Sequence, residues 1–70
     1  MSDLPTTMVY TDGNYTARVY EKGPDGKHAW TITHDPTGEV VLERTAKSKS
    51  YAENTAAERV WKFNREGHEG

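Results

Sequence analysis

Ser48-Lys49-Ser50-Tyr51-Ala52-Glu53-Asn54-Thr55-Ala56-Ala57-Glu58-Arg59-Val60-Trp61-Lys62-Phe63-Asn64-Arg65-Glu66 is the stretch on which the fold turns. It has helical spacing and contains neither Pro nor Gly. At about 100° per residue, Ala52, Ala56, Val60 and Phe63 fall on one narrow stripe. Ser50 with Glu53 reads as a capping box, and Ser48 serves equally as the N-cap half a turn earlier. Arg59, Lys62 and Arg65 crowd the negative end of the dipole, and Gly67 supplies a left-handed stop. A single helix of this length is marginal in water, so its stripe needs a surface to lie on. Two of the four stripe residues are Ala, which predicts a close approach to that surface.

The surface must come from the preceding residues. Thr6-Thr7-Met8-Val9-Tyr10-Thr11 has strand composition and is the least regular of the strand segments. Asp12-Gly13 behind it is a two-residue hairpin signal. In Tyr15–Lys22, alternation puts Tyr15, Ala17 and Val19 on one face and Arg18, Tyr20 and Lys22 on the other. Gly23-Pro24-Asp25-Gly26 is turn chemistry throughout. Lys27–His34 follows, with Trp30 and Ile32 inward and Ala29, Thr31 and Thr33 outward. Asp35-Pro36-Thr37-Gly38 turns again into Glu39–Thr45. There Val40 and Leu42 are expected inward and Val41 and Glu43 outward, and a one-residue slip would exchange them.

The expectation is therefore an α+β domain: an antiparallel three- or four-stranded meander with one C-terminal helix packed across one face. Residues 6–66 form the single domain, with disordered tails at 1–5 and 67–70. The expected core is Ala17, Val19, Trp30, Ile32, Val40, Leu42, Ala52, Ala56, Val60 and Phe63, with Tyr15 beside it.

Seventy residues allow one domain. The absence of Cys excludes disulfides and thiolate metal sites. Met1–Pro5 shows neither a basic region nor an apolar run, so no signal peptide is expected, and cytoplasm is the default location. No stretch reaches the roughly 20 apolar residues of a membrane span. Net charge is −2, with both signs interleaved along the chain. Duplex-binding proteins gain affinity by neutralising phosphates and usually carry a basic total, so nucleic acid is disfavoured.

Potential catalytic groups are present without a constellation. His28, Asp35 and Ser48 or Ser50 supply the residue types of a triad, but ordinary caps and turns explain them equally well. His28 and His34 stand six residues apart on one strand, roughly 20 Å by strand rise, too far to share a metal. No enzyme activity, cofactor or metal site is read from these residues. A small core with leftover aromatic surface points instead to association, as a homodimer or with a protein partner, through Trp61, Ala57, Tyr20 and Val41. The other reading of Trp61 is that it folds over the end of the sheet.

One alternative uses the outer sheet face, where Arg18, Tyr20, Lys22, Thr31 and Thr33 would stand together. Lys27 lies near the rim, and Arg44 or Lys47 beside them. Such a face can enter a DNA major groove. The order of elements is similar to that of the plant ethylene-response DNA-binding domain and of the arm-binding domain of tyrosine recombinases. Glu21, Glu43 and the acidic total argue against this reading.

Three segments resemble the YegP-like family of small uncharacterised domains. They are Gly26-Lys27-His28-Ala29-Trp30-Thr31-Ile32, Gly38-Glu39-Val40-Val41, and Ser48-Lys49-Ser50-Tyr51-Ala52-Glu53 with Ala56 and Val60 following. Asp35-Pro36-Thr37 replaces the family's short Asn-Gly loop, and Thr45-Ala46-Lys47 its Gly-Tyr approach to the helix. The resemblance covers about residues 15–61. It implies a ββ(β)α domain, in tandem or as a symmetric dimer, with no catalytic residues to carry over.

Overall fold

The structure, a computed structural model, describes residues 5–67. The expected tails at 1–5 and 67–70 lie outside the described residues except for Pro5 and Gly67. Four strands, β1 (Thr6–Asp12), β2 (Tyr15–Lys22), β3 (His28–His34) and β4 (Glu39–Ala46), precede one helix, α1 (Lys49–Glu66). The strands form an antiparallel sheet in the order β1-β2-β3-β4. The fold is thus the expected α+β meander with four strands, the weakly patterned first segment included.

Each turn has a local cause. Asp12 pairs with Tyr15 across Gly13 and Asn14, and Gly13 takes φ +61 where an L side chain would be strained. Gly26 N–H donates to the Gly23 carbonyl at 2.9 Å, and the Asp25 carboxylate accepts from Lys27 N–H at 3.1 Å. The third turn closes on His34, whose carbonyl accepts from Gly38 N–H at 2.7 Å. It is tied to the first turn by Asp35 N–H donating to the Asn14 carbonyl at 2.8 Å.

The helix lies chiefly over β2 and β3. Ala52, Ala56 and Val60 are buried on its sheet side against Tyr15, Ala17, Val19, Trp30, Ile32 and Ala46. The two alanines let the backbone come close, as their small size requires. Met8, Val41, Leu42 and Phe63 pack around this core, half-buried. The Tyr15 ring sits 5.6 Å from Phe63 and 5.1 Å from His34, centroid to centroid. Ser48 is the N-cap, its hydroxyl accepting from Tyr51 N–H at 3.4 Å. Glu53 does not complete a capping box with Ser50. Its Oε2 accepts from the Thr7 hydroxyl at 3.2 Å. Gly67, at φ +82, ends the helix with its N–H on the Phe63 carbonyl.

Bulges overturn several expected orientations. Ile32 pairs with Leu42 but Thr33 with Val40, so Val41 is an extra residue in β4. Leu42 therefore keeps its inward place while Val40 is 54% exposed on the face of Thr33. Val41 packs against the core instead of standing outward. In β2, Val19 pairs with Trp30 and Lys22 with His28, so a bulge at Tyr20–Glu21 shifts Lys22 off the face of Arg18. Arg44 pairs with Trp30 and so belongs to the helix side, away from the open face. Ala46, opposite the buried His28, joins the core at the strand's end.

Candidate functional site

The helix covers one side of the sheet and leaves the other open. Cross-strand partners share a face, so the register reads out the open side in rows. One row runs Thr11, Thr16, Thr33, Val40, and the next runs Val9, Arg18, Thr31, Glu43. Tyr20 lies opposite Thr6 beyond them. Arg18 is half-buried and its Nη1 donates to Thr33 Oγ1 at 3.4 Å, so the guanidinium lies along the sheet. Thr16 is buried although it faces this side. Its hydroxyl donates to the Asp35 carboxylate, at 3.0 and 2.8 Å, and shares a 3.0 Å bond with the Thr11 hydroxyl.

Of the residues suggested for nucleic acid, Arg18, Thr31 and Thr33 come together on this face. Lys22 does not, because of the bulge, and Lys27 sits exposed in the second turn. Glu43 lies directly opposite Thr31, which leaves the middle row with one cation and one anion.

Of the residues suggested for association, Tyr20 is half-buried on the open side and Val41 belongs to the core margin. Ala57 and Trp61 are on the helix. Trp61 is 53% exposed and does not fold over the sheet; the Arg65 guanidinium stacks on its ring at 4.7 Å. A shallow depression beside it is bordered by Glu58, Arg59, Lys62 and Glu66. No family model, curated protein or solved structure matches this chain.

The triad residue types stay apart. His28, at the start of β3, is buried and its Nδ1 lies 2.9 Å from the Tyr20 carbonyl, which makes that nitrogen the donor. Asp35 is beyond the far end of the same strand, engaged by Thr16. Ser48 caps the helix. Among the described residues no three His, Asp or Glu side chains gather as a metal site, and no helix is long and apolar enough to cross a membrane.

Sequence reasoning passed over Val9 and Tyr10, which are 56% and 38% exposed on the outermost strand. The signal was there in composition. Thr6–Thr11 is an uncharged run next to a hairpin turn, and such a run forms a bare sheet edge when it lies outermost.

Proposed function

We propose that this chain is a small, non-enzymatic binding module of the cytoplasm that associates with itself or with a protein partner. The exposed apolar side chains carry the reading: Val9, Tyr10 and Trp61 remain in solvent on a domain whose described residues bury a core of nine apolar side chains, four of them Ala. Contiguous exposed apolar surface marks contact sites, and Val9 and Tyr10 adjoin on the outermost strand of the sheet. Kinship with the YegP-like family belongs to the same reading, supported by Ser48-Lys49 at the helix start and Gly38-Glu39 at the last strand. Sedimentation velocity from low to high micromolar concentration tests it. The expected result is a concentration-dependent shift to a dimer; a constant monomer whose tagged form captures no protein would remove it.

A second reading, binding of duplex DNA by the open face, is supported by Arg18, Thr31 and Thr33 standing on one side. It predicts salt-sensitive retardation of a duplex that Arg18→Ala abolishes. Absence of retardation at low salt ends it.

A further inference from the structure

We propose that the domain pairs with a second copy of itself along the free edge of β1, in a two-fold antiparallel register with Tyr10 of one copy opposite Tyr10 of the other. This rests on the self-association read above and names the edge that carries it.

The backbone argues first. A two-residue turn makes Asp12 and Tyr15 the bonded pair that closes the hairpin. Bonded and non-bonded pairs then alternate, so the N–H and C=O groups of Thr11 and Val9 turn away from β2. β1 is outermost in the sheet, and those groups form its edge. Setting Val9 beside Thr11 of a second copy lets each exchange N–H···O=C bonds, about four across the two-fold axis.

The side chains agree with that register. From Thr6 to Thr11 there is no charge to oppose its like. Tyr10 pairs with Ala17 and so faces the helix side, where the two Tyr10 residues become a closely spaced cross-strand pair, Cα atoms about 4.5 Å apart. Val9, exposed alone, would lie against Thr11 on the open side.

The helix points to the same edge. Glu53 touches Thr7 of β1, and the Asn64 side chain accepts from Asn14 N–H in the turn that follows it, at 3.4 Å. The flank bearing Glu53, Ala57 and Asn64 therefore overlooks β1. Trp61 stands about 40° further round from Ala57. Pairing along β1 thus brings Tyr10 and the Glu53 and Ala57 flank of the helix of both copies toward one seam, with Trp61 further out on the solvent side. The opposite edge does not offer this. β4 carries Glu39, Glu43 and Arg44, and its bulge at Val41 breaks the alternation that a partner strand would need. The bulge of β1, at Thr7, lies outside the Val9–Thr11 segment.

Two variants test the edge in the full chain. The chain has no Cys, so Tyr10→Cys places the sole thiol at the two-fold axis. Mild oxidation should yield a covalent dimer, and Val40→Cys on β4 should not. Val9→Pro removes an N–H that faces outward and that β2 does not use, so the circular dichroism should be retained. Its dimer dissociation constant should rise about tenfold or more. If the wild type sediments as a dimer while Val9→Pro dimerises equally well and Tyr10→Cys stays uncrosslinked, the edge is wrong and the binding reading survives. A wild type that is monomeric throughout removes this edge as well. Should Val9→Pro fail to fold, the Tyr10→Cys cross-link decides by its presence or absence.

Discussion

The Thr7 hydroxyl reaches Glu53 Oε2 at 3.2 Å, joining the first strand to the helix across 46 residues of chain. The same hydroxyl lies 3.3 Å from the Val19 carbonyl, so its one proton is shared between strand and helix. Thr7 is the extra residue of the β1 bulge, and the bulge re-aims its side chain. Thr7→Val should cost about 0.5–1.5 kcal/mol in urea unfolding. Glu53→Gln keeps an acceptor and should cost less. Among the described residues no cation takes part in the contact, so the Thr7→Val loss should be the same at low and high salt. A loss that fades with salt would point to an ionic partner instead.

Ser48, not Ser50, satisfies the first turn of the helix. Ser48→Ala should lower stability by about 1 kcal/mol. Ser50→Ala, inside the helix and exposed, should be neutral or slightly stabilising because Ala is the better helix former. Equal losses at both positions would restore the capping box that the residue spacing suggested.

The hairpin tip and the end of the helix fit each other through a missing side chain. A Cβ on Gly13 would overlap the Asn64 amide, and Gly13 also holds φ +61. Gly13→Ala should therefore be costly on two counts, with about 1–2 kcal/mol from the dihedral alone. Asn64→Ala should cost no more than about 0.5 kcal/mol, since the residue is exposed and its bond to Asn14 is long. In the double variant the steric part disappears and the dihedral part stays. Its loss should fall below the sum of the singles. Strict additivity would mean that the amide does not fill that space.

Trp30 is buried at the centre of the sheet's helix side, and its indole Nε1 has no hydrogen-bond partner among the described residues. A buried donor left unpaired costs about 1–3 kcal/mol. Trp30→Phe relieves that penalty while losing ring volume, and the two should nearly cancel, leaving a change within about 1 kcal/mol. Ile32→Ala, in the same strand with nothing to relieve, should cost roughly 2–5 kcal/mol. A large loss on Trp30→Phe would show that the indole's volume outweighs its stranded donor.

Much of this fold can be read from spacing. The stripe of Ala52, Ala56 and Val60 has the helical period, and alternation in β2 and β3 yields Tyr15, Ala17, Val19, Trp30 and Ile32, though not the buried Thr16 and His28. β4 resists because Val40, Val41 and Leu42 are all apolar, and a continuous apolar run contains no phase from which to find a bulge. Lys22 is misplaced for a different reason: pairing with β3 creates the bulge before it, and composition holds no trace of that. The choice between Ser48 and Ser50 turns on where the helix axis starts. β4 ends at Ala46, opposite His28 in the sheet, and the helix already opens at Lys49. The proposed contact surface was half legible. Trp61 stands out by position on the helix, whereas Val9 and Tyr10 matter only because β1 is outermost.

The irregularity at Val41 also bears on how far an assembly could extend. A flat sheet with two receptive margins has no inherent size and adds copies into a filament. Here one margin is crooked and lined with Glu39, Glu43 and Arg44, so two copies joined at the other would present only uninviting borders. Growth by strand addition should stop at a pair, and concentrated solutions of this small, sticky domain should stay clear.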